Sequence, residues 1–416
     1  MKNRFFANLH LVPLFLLTTV LLILTAVDAQ AQPVDMIETQ VTYAFGGQMT
    51  FWARVSLPAK PEEALVFYRA KGDSRTMSGI LSVIGDEVSF VHDLTRSPLR
   101  AFANIEYWFG FRFSEDENFV SPTYSFLYDD NRFQWQQIQS DSITINWYDG
   151  DLAFGQMAMD TARAGMERAK TWFDFPEPEQ LRFYLYASAP EMQSTLRLGS
   201  MSMIGGHTSP DLKVMIVSLP EGPDQKMETE RQIPHEIIHV LLYEKLGEGS
   251  LNLPTWLTEG LASKNEFYPN PDYHVILADA VERELLLPMT SLCKGFPLDA
   301  ASYFLAYSQA ESFMGFLYDQ FGKSGIESLM EQYANGVDCE RGAELALGTP
   351  LAELDEQWRE EQLGISPSIL IPLDHPLLPW LVLAGLILAV PVVAAASNLV
   401  RVRRVKTIPV EELPLE

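Results

Sequence analysis

The pattern of hydrophobic and polar positions changes character near residue 130. Residues 33–130 contain short alternating or aromatic runs, such as MTFWARVSL, ALVFYRA and IEYWFGFRF, separated by clusters of Gly, Pro, Asp and Ser. Alternation with a period of two is typical of half-buried strands, and several short strands at this spacing predict an antiparallel sandwich. We therefore expect residues 32–130 to form a β-sandwich of immunoglobulin- or fibronectin-III-like type, with a supporting or adhesive role.

After this region the chain mixes strand and helix patterns, which predicts an α+β fold for the second domain. SITINWY, LRFYLYA and LKVMIVSL predict strands, and LAFGQMAMDTARAGMERAKTWF predicts a long helix with apolar residues at helical spacing. The segment IPHEIIHVLLYEKLG, residues 233–247, predicts a helix that starts just before Pro234, because proline is tolerated only in a first turn. NLPTWLTEGLAS predicts a second helix from Pro254.

Apolar segments lie at both ends of the chain. Basic residues, an apolar run and a small-residue pattern predict a signal peptide over residues 1–31, with an uncleaved anchor as the alternative. Leu377 to Ala396 is uncharged and long enough to span a bilayer, which predicts a transmembrane helix over residues 376–398. Because the tail 399–416 begins with a basic cluster, it should be cytoplasmic. We expect a single-pass type I protein of the cell membrane whose large region between the two apolar segments is extracellular.

The composition argues against one class of partner, and the expected export of the chain affects how its cysteines are interpreted. The formal net charge of −25 over 416 residues argues against nucleic acid, because phosphate binding needs clustered Lys and Arg. The chain has two cysteines, Cys293 and Cys339, and both lie in the region expected to be exported. A disulfide is the favoured interpretation, and two unpaired buried thiols are the alternative.

The helix of residues 233–247 carries a candidate for chemistry. His235 and His239 are four residues apart, so their side chains lie on one helical face, where two imidazoles can bind zinc. Glu236 is next to the first histidine and can reach a zinc-bound water as general base, which completes the H-E-x-x-H arrangement. The alternative is an ordinary amphipathic helix whose histidines are incidental.

The following segment favours the zinc site. In WLTEGLAS, Glu259 follows His239 by twenty positions, and a helix, a reversal and a second helix can return its carboxylate to the imidazoles. Two histidines and one glutamate leave a fourth position open for water, as a catalytic zinc site requires. We therefore predict one Zn²⁺ per chain, bound by His235, His239 and Glu259. The alternative is that Glu259 is a surface residue of an ordinary helix.

HEIIH together with WLTEGLA resembles the gluzincin metallopeptidases, in particular the peptidase MA-like group. YFLAYSQAESFMGFLYDQFG and LGTPLAELDEQWREE extend the resemblance, which implies a zincin-like, thermolysin-like metallopeptidase domain over residues 131–368. The resemblance also implies that Tyr307 donates its hydroxyl to the oxyanion of the tetrahedral intermediate. Tyr303 is the fallback for this role. A purely structural role is the alternative, because aromatic residues at helical spacing are typical of a core.

The expected function is hydrolysis of peptide bonds in peptide or protein substrates. The resemblance includes aminopeptidases that carry an acidic motif on the strand before the zinc helix, and MIGGHTSPDLKVMIVSL has no glutamate there. If LKVMIVSL is an edge strand, it could pair with a substrate backbone, which favours an endopeptidase. The alternative function is a catalytically silent, membrane-tethered module for binding or adhesion. The sequence gives no indication of the oligomeric state.

Overall fold

The structure, a computed structural model, describes residues 34–196 and 205–365 together with Trp380. The predicted signal peptide 1–31 and the tail 399–416 lie outside the described residues, as does the predicted transmembrane helix 376–398 apart from Trp380. Across the described part of the chain, no helix is long and apolar enough to cross a membrane.

Two antiparallel sheets form the N-terminal part of the chain. Alternating burial is clearest in the second strand, where every second residue is buried, as expected for a strand with one face on a core. The first sheet has the order β1-β2-β6-β5, and the second has the order β4-β3-β7-β8, with β9 also paired to β7. The nine strands are β1 Asp35–Tyr43, β2 Gln48–Ser56, β3 Glu63–Ala70, β4 Met77–Ile80, β5 Ser82–Ile84, β6 Glu87–Asp93, β7 Asn104–Arg112, β8 Asn118–Val120 and β9 Tyr124–Leu127.

The two sheets share one hydrophobic core, which makes this region a sandwich. Phe51 and Val88 come from the first sheet, Val66 and Phe109 come from the second, and all four are fully buried in the same cluster. The N-terminal β-structure is therefore as the alternation predicts. By its internal contacts the chain divides into two compact units, with the boundary between Ala352 and Glu353. That boundary does not test the predicted domain limits 32–130 and 131–368, which stay a prediction.

A third sheet lies beyond the sandwich and has the order β10-β11-β12-β14-β13. Its central strands are parallel and its two outer strands pair antiparallel. Its strands are β10 Gln136–Ser140, β11 Ile143–Trp147, β12 Leu181–Tyr186, β13 Gly206–Ser209 and β14 Val214–Ser218.

The expectation that LKVMIVSL is an edge strand is wrong. Strand β14 lies between β12 and β13, and all five of its residues are buried. A continuous apolar run is typical of such an interior parallel strand. On this side of the sheet the outermost described strand is β13. Its sequence Gly-His-Thr-Ser has no apolar residue and therefore no hydrophobic periodicity to reveal it.

The described residues that follow the sandwich also form eight helices. This part of the chain is therefore mixed α and β. The long helix α6 is interrupted at Gly322, where a φ of 61° breaks the helical path. The helices are α1 Leu152–Ala169, α2 Ala189–Leu196, α3 Gln225–Leu246, α4 Thr255–Asn265, α5 Asp272–Glu282, α6 Ala300–Ala334, α7 Cys339–Leu347 and α8 Leu351–Glu361.

The predicted disulfide is confirmed, since Cys293 and Cys339 are bonded to each other. The bridge lies beside the start of α4. The N–H of Thr255 donates to the carbonyl of Cys293 at 3.0 Å, and the indole N–H of Trp256 lies 3.4 Å from the Cys339 sulfur. The bridge therefore fixes the N-terminal end of the helix that carries Glu259.

Candidate metal centre and catalytic site

Helix α3 begins earlier than the sequence predicts. It starts at Gln225, so Pro234 lies well inside it and the expected start just before Pro234 is wrong. An internal proline costs stability because it leaves the carbonyl four residues earlier without a helical donor. Here that carbonyl belongs to Glu230, and it accepts a hydrogen bond from the Phe267 N–H at 3.0 Å. A residue beyond α4 thus supplies the missing bond.

The structure brings His235, His239 and Glu259 together. The ring centroids of the two histidines lie 5.4 Å apart on one face of α3. The Nε2 atom of His235 lies 3.4 Å from Glu259 Oε2, and the Nε2 atom of His239 lies 4.0 Å from Glu259 Oε1. One ligand atom from each of the three residues lies within 4.8 Å of the others.

This donor set fits a zinc ion. Ligands bound at ~2.0–2.1 Å in a tetrahedron lie about 3.4 Å apart, close to the separations between the imidazoles and the carboxylate. Burial alone lowers the pKa of His235, but the Glu259 and Glu266 carboxylates raise it well above its usual range. Burial raises the pKa of Glu259, yet the two imidazoles and Tyr307 bring it to about 2. The site therefore favours a positive charge at the point where the ligands converge. The metal-binding role of these residues stays a prediction.

A glycine allows helix α4 to approach α6 and brings Glu259 to the site. A Cβ atom on Gly260 would lie 2.6 Å from the backbone carbonyl oxygen of Ala310, which is far closer than a side chain allows. The residue before this contact, Glu259, faces the histidines, and Tyr307 is one turn before Ala310 on α6. Close helix packing thus places the carboxylate and the tyrosine hydroxyl in one site.

Glu236 lies beside the metal ligands and is held by the edge strand. Its side chain is buried, and the Thr208 hydroxyl donates to its Oε2 atom at 2.6 Å. A Cβ atom on Gly206 would lie 2.3 Å from the Oε1 atom of Glu236. Strand β13 therefore leaves room for the carboxylate through a glycine and orients it through a threonine. No sequence pattern assigns a role to Gly206 or Thr208.

Tyr307 reaches the site, and Tyr303 lies behind it. The Tyr307 ring centroid lies 6.4 Å from that of His235, and the Tyr307 hydroxyl lowers the pKa of the Glu259 carboxyl. The Tyr303 hydroxyl lies 3.2 Å from the Tyr307 hydroxyl and is hydrogen-bonded to it. Burial raises the pKa of Tyr307 well above its usual value, and the Glu259 charge acts in the same direction. Tyr307 is thus a protonated donor at the site, and its catalytic role stays a prediction.

Glu266 is a further residue of the site that sequence reasoning missed. Glu266 accepts from the Nδ1 atom of His235 at 2.9 Å and is almost fully buried. A carboxylate on the far ring nitrogen fixes the tautomer of a metal-binding histidine and turns its Nε2 atom toward the metal. Glu266 follows Glu259 by seven positions, at the first residue after α4, and no periodicity or motif marks it.

The other histidines of the described residues, His92, His207 and His274, lie outside the donor set. His92 is buried in the sandwich between the Tyr68 hydroxyl and the Ser97 carbonyl, consistent with a structural role. His207 lies on β13, and burial lowers its pKa. His274 lies in α5 and contributes no ligand atom to the cluster.

A sequence comparison with known protein families points to the same region of the chain. The sequence profile of the Peptidase MA superfamily matches residues 168–363. The predicted resemblance to this superfamily is confirmed. The Peptidase MA match contains α3, α4 and α6, the helices that supply His235, His239, Glu259 and Tyr307. It supports a zinc-dependent metallopeptidase as the class of this protein.

Solved structures also show similarity to the chain. An aminopeptidase N family protein from Idiomarina loihiensis is 9% identical, with 81% of this chain and 73% of that chain covered and a TM-score of 0.35. An M1 zinc metallopeptidase mutant from Deinococcus radiodurans, bound to a Tyr-Ser-Ala substrate, is 11% identical, with 79% and 94% covered and a TM-score of 0.31. A search among curated proteins finds no match.

Proposed function

We propose that the protein is a zinc metallopeptidase that hydrolyses peptide bonds. One observation carries the proposal: two imidazoles and a carboxylate converge within 4.8 Å, with the buried carboxylate of Glu236 on the same helix as both imidazoles. A site that only holds a metal for structural reasons has a closed set of ligands. Here His235, His239 and Glu259 provide three ligands, which leaves one position for water.

The side chains divide the reaction between them. When bound, zinc lowers the pKa of a coordinated water and polarises the scissile carbonyl. Glu236, oriented by Thr208, accepts the proton of the attacking water and returns it to the leaving amine. Tyr307 donates its hydroxyl to the carbonyl oxygen on which negative charge develops. Glu266 holds the ring of His235 in the orientation that presents Nε2.

Endopeptidase activity is the finer part of the proposal. Strand β13 is the outer strand of its sheet and carries no acidic side chain to capture the free amine of a substrate. An exposed strand edge binds an extended chain through main-chain hydrogen bonds wherever that chain begins. We infer that substrates are cut at internal bonds.

The proposed location is the outer face of a membrane. The signal peptide and C-terminal anchor expected from the sequence imply an extracellular type I protein, and the Cys293–Cys339 disulfide supports an oxidising compartment. Attachment to the cell membrane through residues 376–398 is part of the same proposal.

Turnover of a mixed peptide library by the purified protein tests the function. We expect cleavage that a zinc chelator blocks and that added zinc restores. Glu236→Gln should bind zinc as tightly as the parent but lose at least about 10²-fold in kcat, because it removes the general base. Elemental analysis of both proteins checks zinc content. Equal turnover by Glu236→Gln would exclude the assigned role, and absence of turnover by the zinc-loaded parent would exclude a peptidase.

A further inference from the structure

The edge strand β13 has two faces with different neighbours. Gly206 and Thr208 face Glu236, as the threonine hydrogen bond of 2.6 Å shows. Because side chains alternate along a strand, His207 and Ser209 point to the opposite face. There they line a cavity of about 640 Å³. The strand beside the candidate general base therefore also forms one wall of a cavity large enough for a ligand.

The β-sandwich forms another wall of this cavity. Phe45, Pro98, Leu99 and Tyr128 line it from the sandwich, and Thr195 and Leu196 line it from α2. The rings of Phe45 and Tyr128 are stacked with centroids 4.8 Å apart, which gives this side a flat apolar surface. The sandwich and strand β13 of the third sheet thus line the same cavity.

Contacts with the third sheet hold the sandwich wall in place. Phe102, in the loop between β6 and β7, is fully buried in a cluster with Tyr184 and Tyr186 of β12. Its ring centroid lies 4.0 Å from that of Tyr184. In the same loop Arg100 donates two hydrogen bonds to Asp211, at 2.5 and 2.6 Å. The cavity is therefore a preformed space rather than a gap between independent parts.

The charges that line the cavity restrict what it accepts. Its formally charged lining groups, among the described residues, are the guanidinium groups of Arg100 and Arg132. Each is paired with a carboxylate, Asp211 and Asp130 respectively, and neither carboxylate lines the cavity. A Lys or Arg side chain would meet like charge there, whereas an apolar or aromatic side chain would meet Leu99 and the stacked rings.

We propose that this cavity is a substrate subsite that the β-sandwich shares with β13. A peptide that pairs with the outer edge of β13 follows the same pleat, so alternate side chains face the cavity. Those side chains are apolar or aromatic, and the substrates extend beyond a dipeptide. This inference rests on the proposed peptidase function and gives the sandwich a role in specificity.

A variant that fills the cavity tests the subsite. Pro98 is exposed at the cavity wall, so Pro98→Trp should fill the space without disturbing a core. Ile84→Trp is the matched control, since Ile84 is 76% exposed on the same sandwich and does not line the cavity. The full zinc-loaded protein and both variants are given the mixed peptide library, and cleaved sequences are read by mass spectrometry.

We expect the parent to prefer apolar or aromatic residues, and to reject Lys and Arg, at alternate positions on one side of the cut bond. Pro98→Trp should lose that preference and fall roughly 10-fold or more in kcat/KM for the best peptide. Ile84→Trp should match the parent, and zinc content and thermal midpoints should be equal in all three.

A second variant tests the charge argument. Pro98→Glu places a carboxylate at the cavity wall and should make Lys and Arg acceptable at the same positions. A cleavage pattern left unchanged by both Pro98 variants would overturn the subsite, as would a parent preference for Lys or Arg. Failure of the parent to cut any peptide would instead overturn the proposed function, so the two failures are distinct.

Discussion

At the scale of single residues, the contact between Glu266 and His235 leads to a prediction about zinc affinity. It holds the Nδ1 atom of His235 at 2.9 Å, and its buried Oε2 atom has no hydrogen-bond partner among the described residues. Glu266→Ala should weaken zinc binding about 10- to 100-fold, because the His235 ring loses its orientation. Competition with a chromogenic chelator measures the zinc affinity.

The controls for this prediction use conservative and distant changes. Glu266→Gln keeps an oxygen that can accept from His235 and should lie between the parent and the alanine variant. Glu282→Ala removes an exposed carboxylate at the end of α5 and should leave the zinc affinity unchanged. If Glu266→Ala binds zinc as tightly as Glu282→Ala does, Glu266 has no positioning role.

The local part of the site could be predicted from the sequence, whereas the contact with Glu266 could not. His235 and His239 converge because a spacing of four residues places side chains on one helical face. That rule acts within one helix and needs no tertiary information. Glu266 reaches His235 only because the chain after α4 returns to α3 at Glu230, and no spacing rule describes such a return.

At the scale of elements, Pro234 shows why the start of α3 was predicted wrongly. The rule against internal proline assumes that the freed carbonyl stays unpaired, but the Phe267 N–H satisfies the Glu230 carbonyl. The amide of Asn265 adds a hydrogen bond to the Pro234 carbonyl at 2.8 Å. The end of α4 is thus held against the turn of α3 that carries His235 by the hydrogen bonds of Asn265, Glu266 and Phe267.

Restoring a backbone N–H at position 234 should weaken the contact between the end of α4 and helix α3. In Pro234→Ala the new amide competes with Phe267 for the Glu230 carbonyl, so the chain at Glu266 should shift away from His235. We expect a several-fold loss of zinc affinity with no loss of thermal stability in the metal-free protein, because alanine is by about 3 kcal/mol the better helix former. Titration with zinc and thermal unfolding measure the two effects. Unchanged zinc affinity would show that the proline has no positioning effect.

The packing of α4 on α6 gives a second prediction for the elements. Gly260→Ala forces a Cβ atom against the Ala310 carbonyl and should destabilise the protein by about 1–3 kcal/mol through overpacking. Gly315→Ala is the matched control on α6, because its nearest neighbour would be the flexible Lys264 Nζ atom at 3.4 Å. That variant should be neutral or more stable by up to about 1 kcal/mol. Denaturant unfolding compares them, and equal stability of both variants would contradict the close approach of the helices.

At the scale of the whole molecule, the sandwich and the third sheet are joined by features that hydrophobic patterns do not show. Phe102 adopts a φ of 61° in a loop that the sequence presents as an ordinary strand connection, yet its ring is buried against β12. The alternation in residues 33–130 predicts strands correctly because it reflects one buried face per strand. A contact between a loop residue and a separate sheet produces no hydrophobic periodicity in the sequence, so the pattern cannot predict it.

The ion pair between Arg100 and Asp211 makes this junction sensitive to acid. Burial raises the pKa of Asp211, but the two hydrogen bonds from Arg100 outweigh it and hold the pKa below its ordinary value of 3.8. Because the folded pKa is the lower one, the pair stabilises the fold above pH 3.8 and loses that effect as the pH falls through the folded pKa. Both side chains are 39% exposed, so solvent screening limits the contribution to about 1 kcal/mol at most.

Asp211→Asn isolates this contribution from the rest of acid denaturation. The parent should be slightly more stable than the variant at pH 7. The difference in unfolding free energy should shrink below about pH 4, because the Asp211 carboxyl is then protonated more readily in the unfolded than in the folded parent. High salt should reduce the difference at pH 7 as well, since an exposed pair is screened. Urea unfolding of both proteins from pH 3 to pH 7 measures the effect. A difference that is constant across this range would mean that the Asp211 charge does not act at the junction, and that Phe102 and its buried neighbours hold it alone.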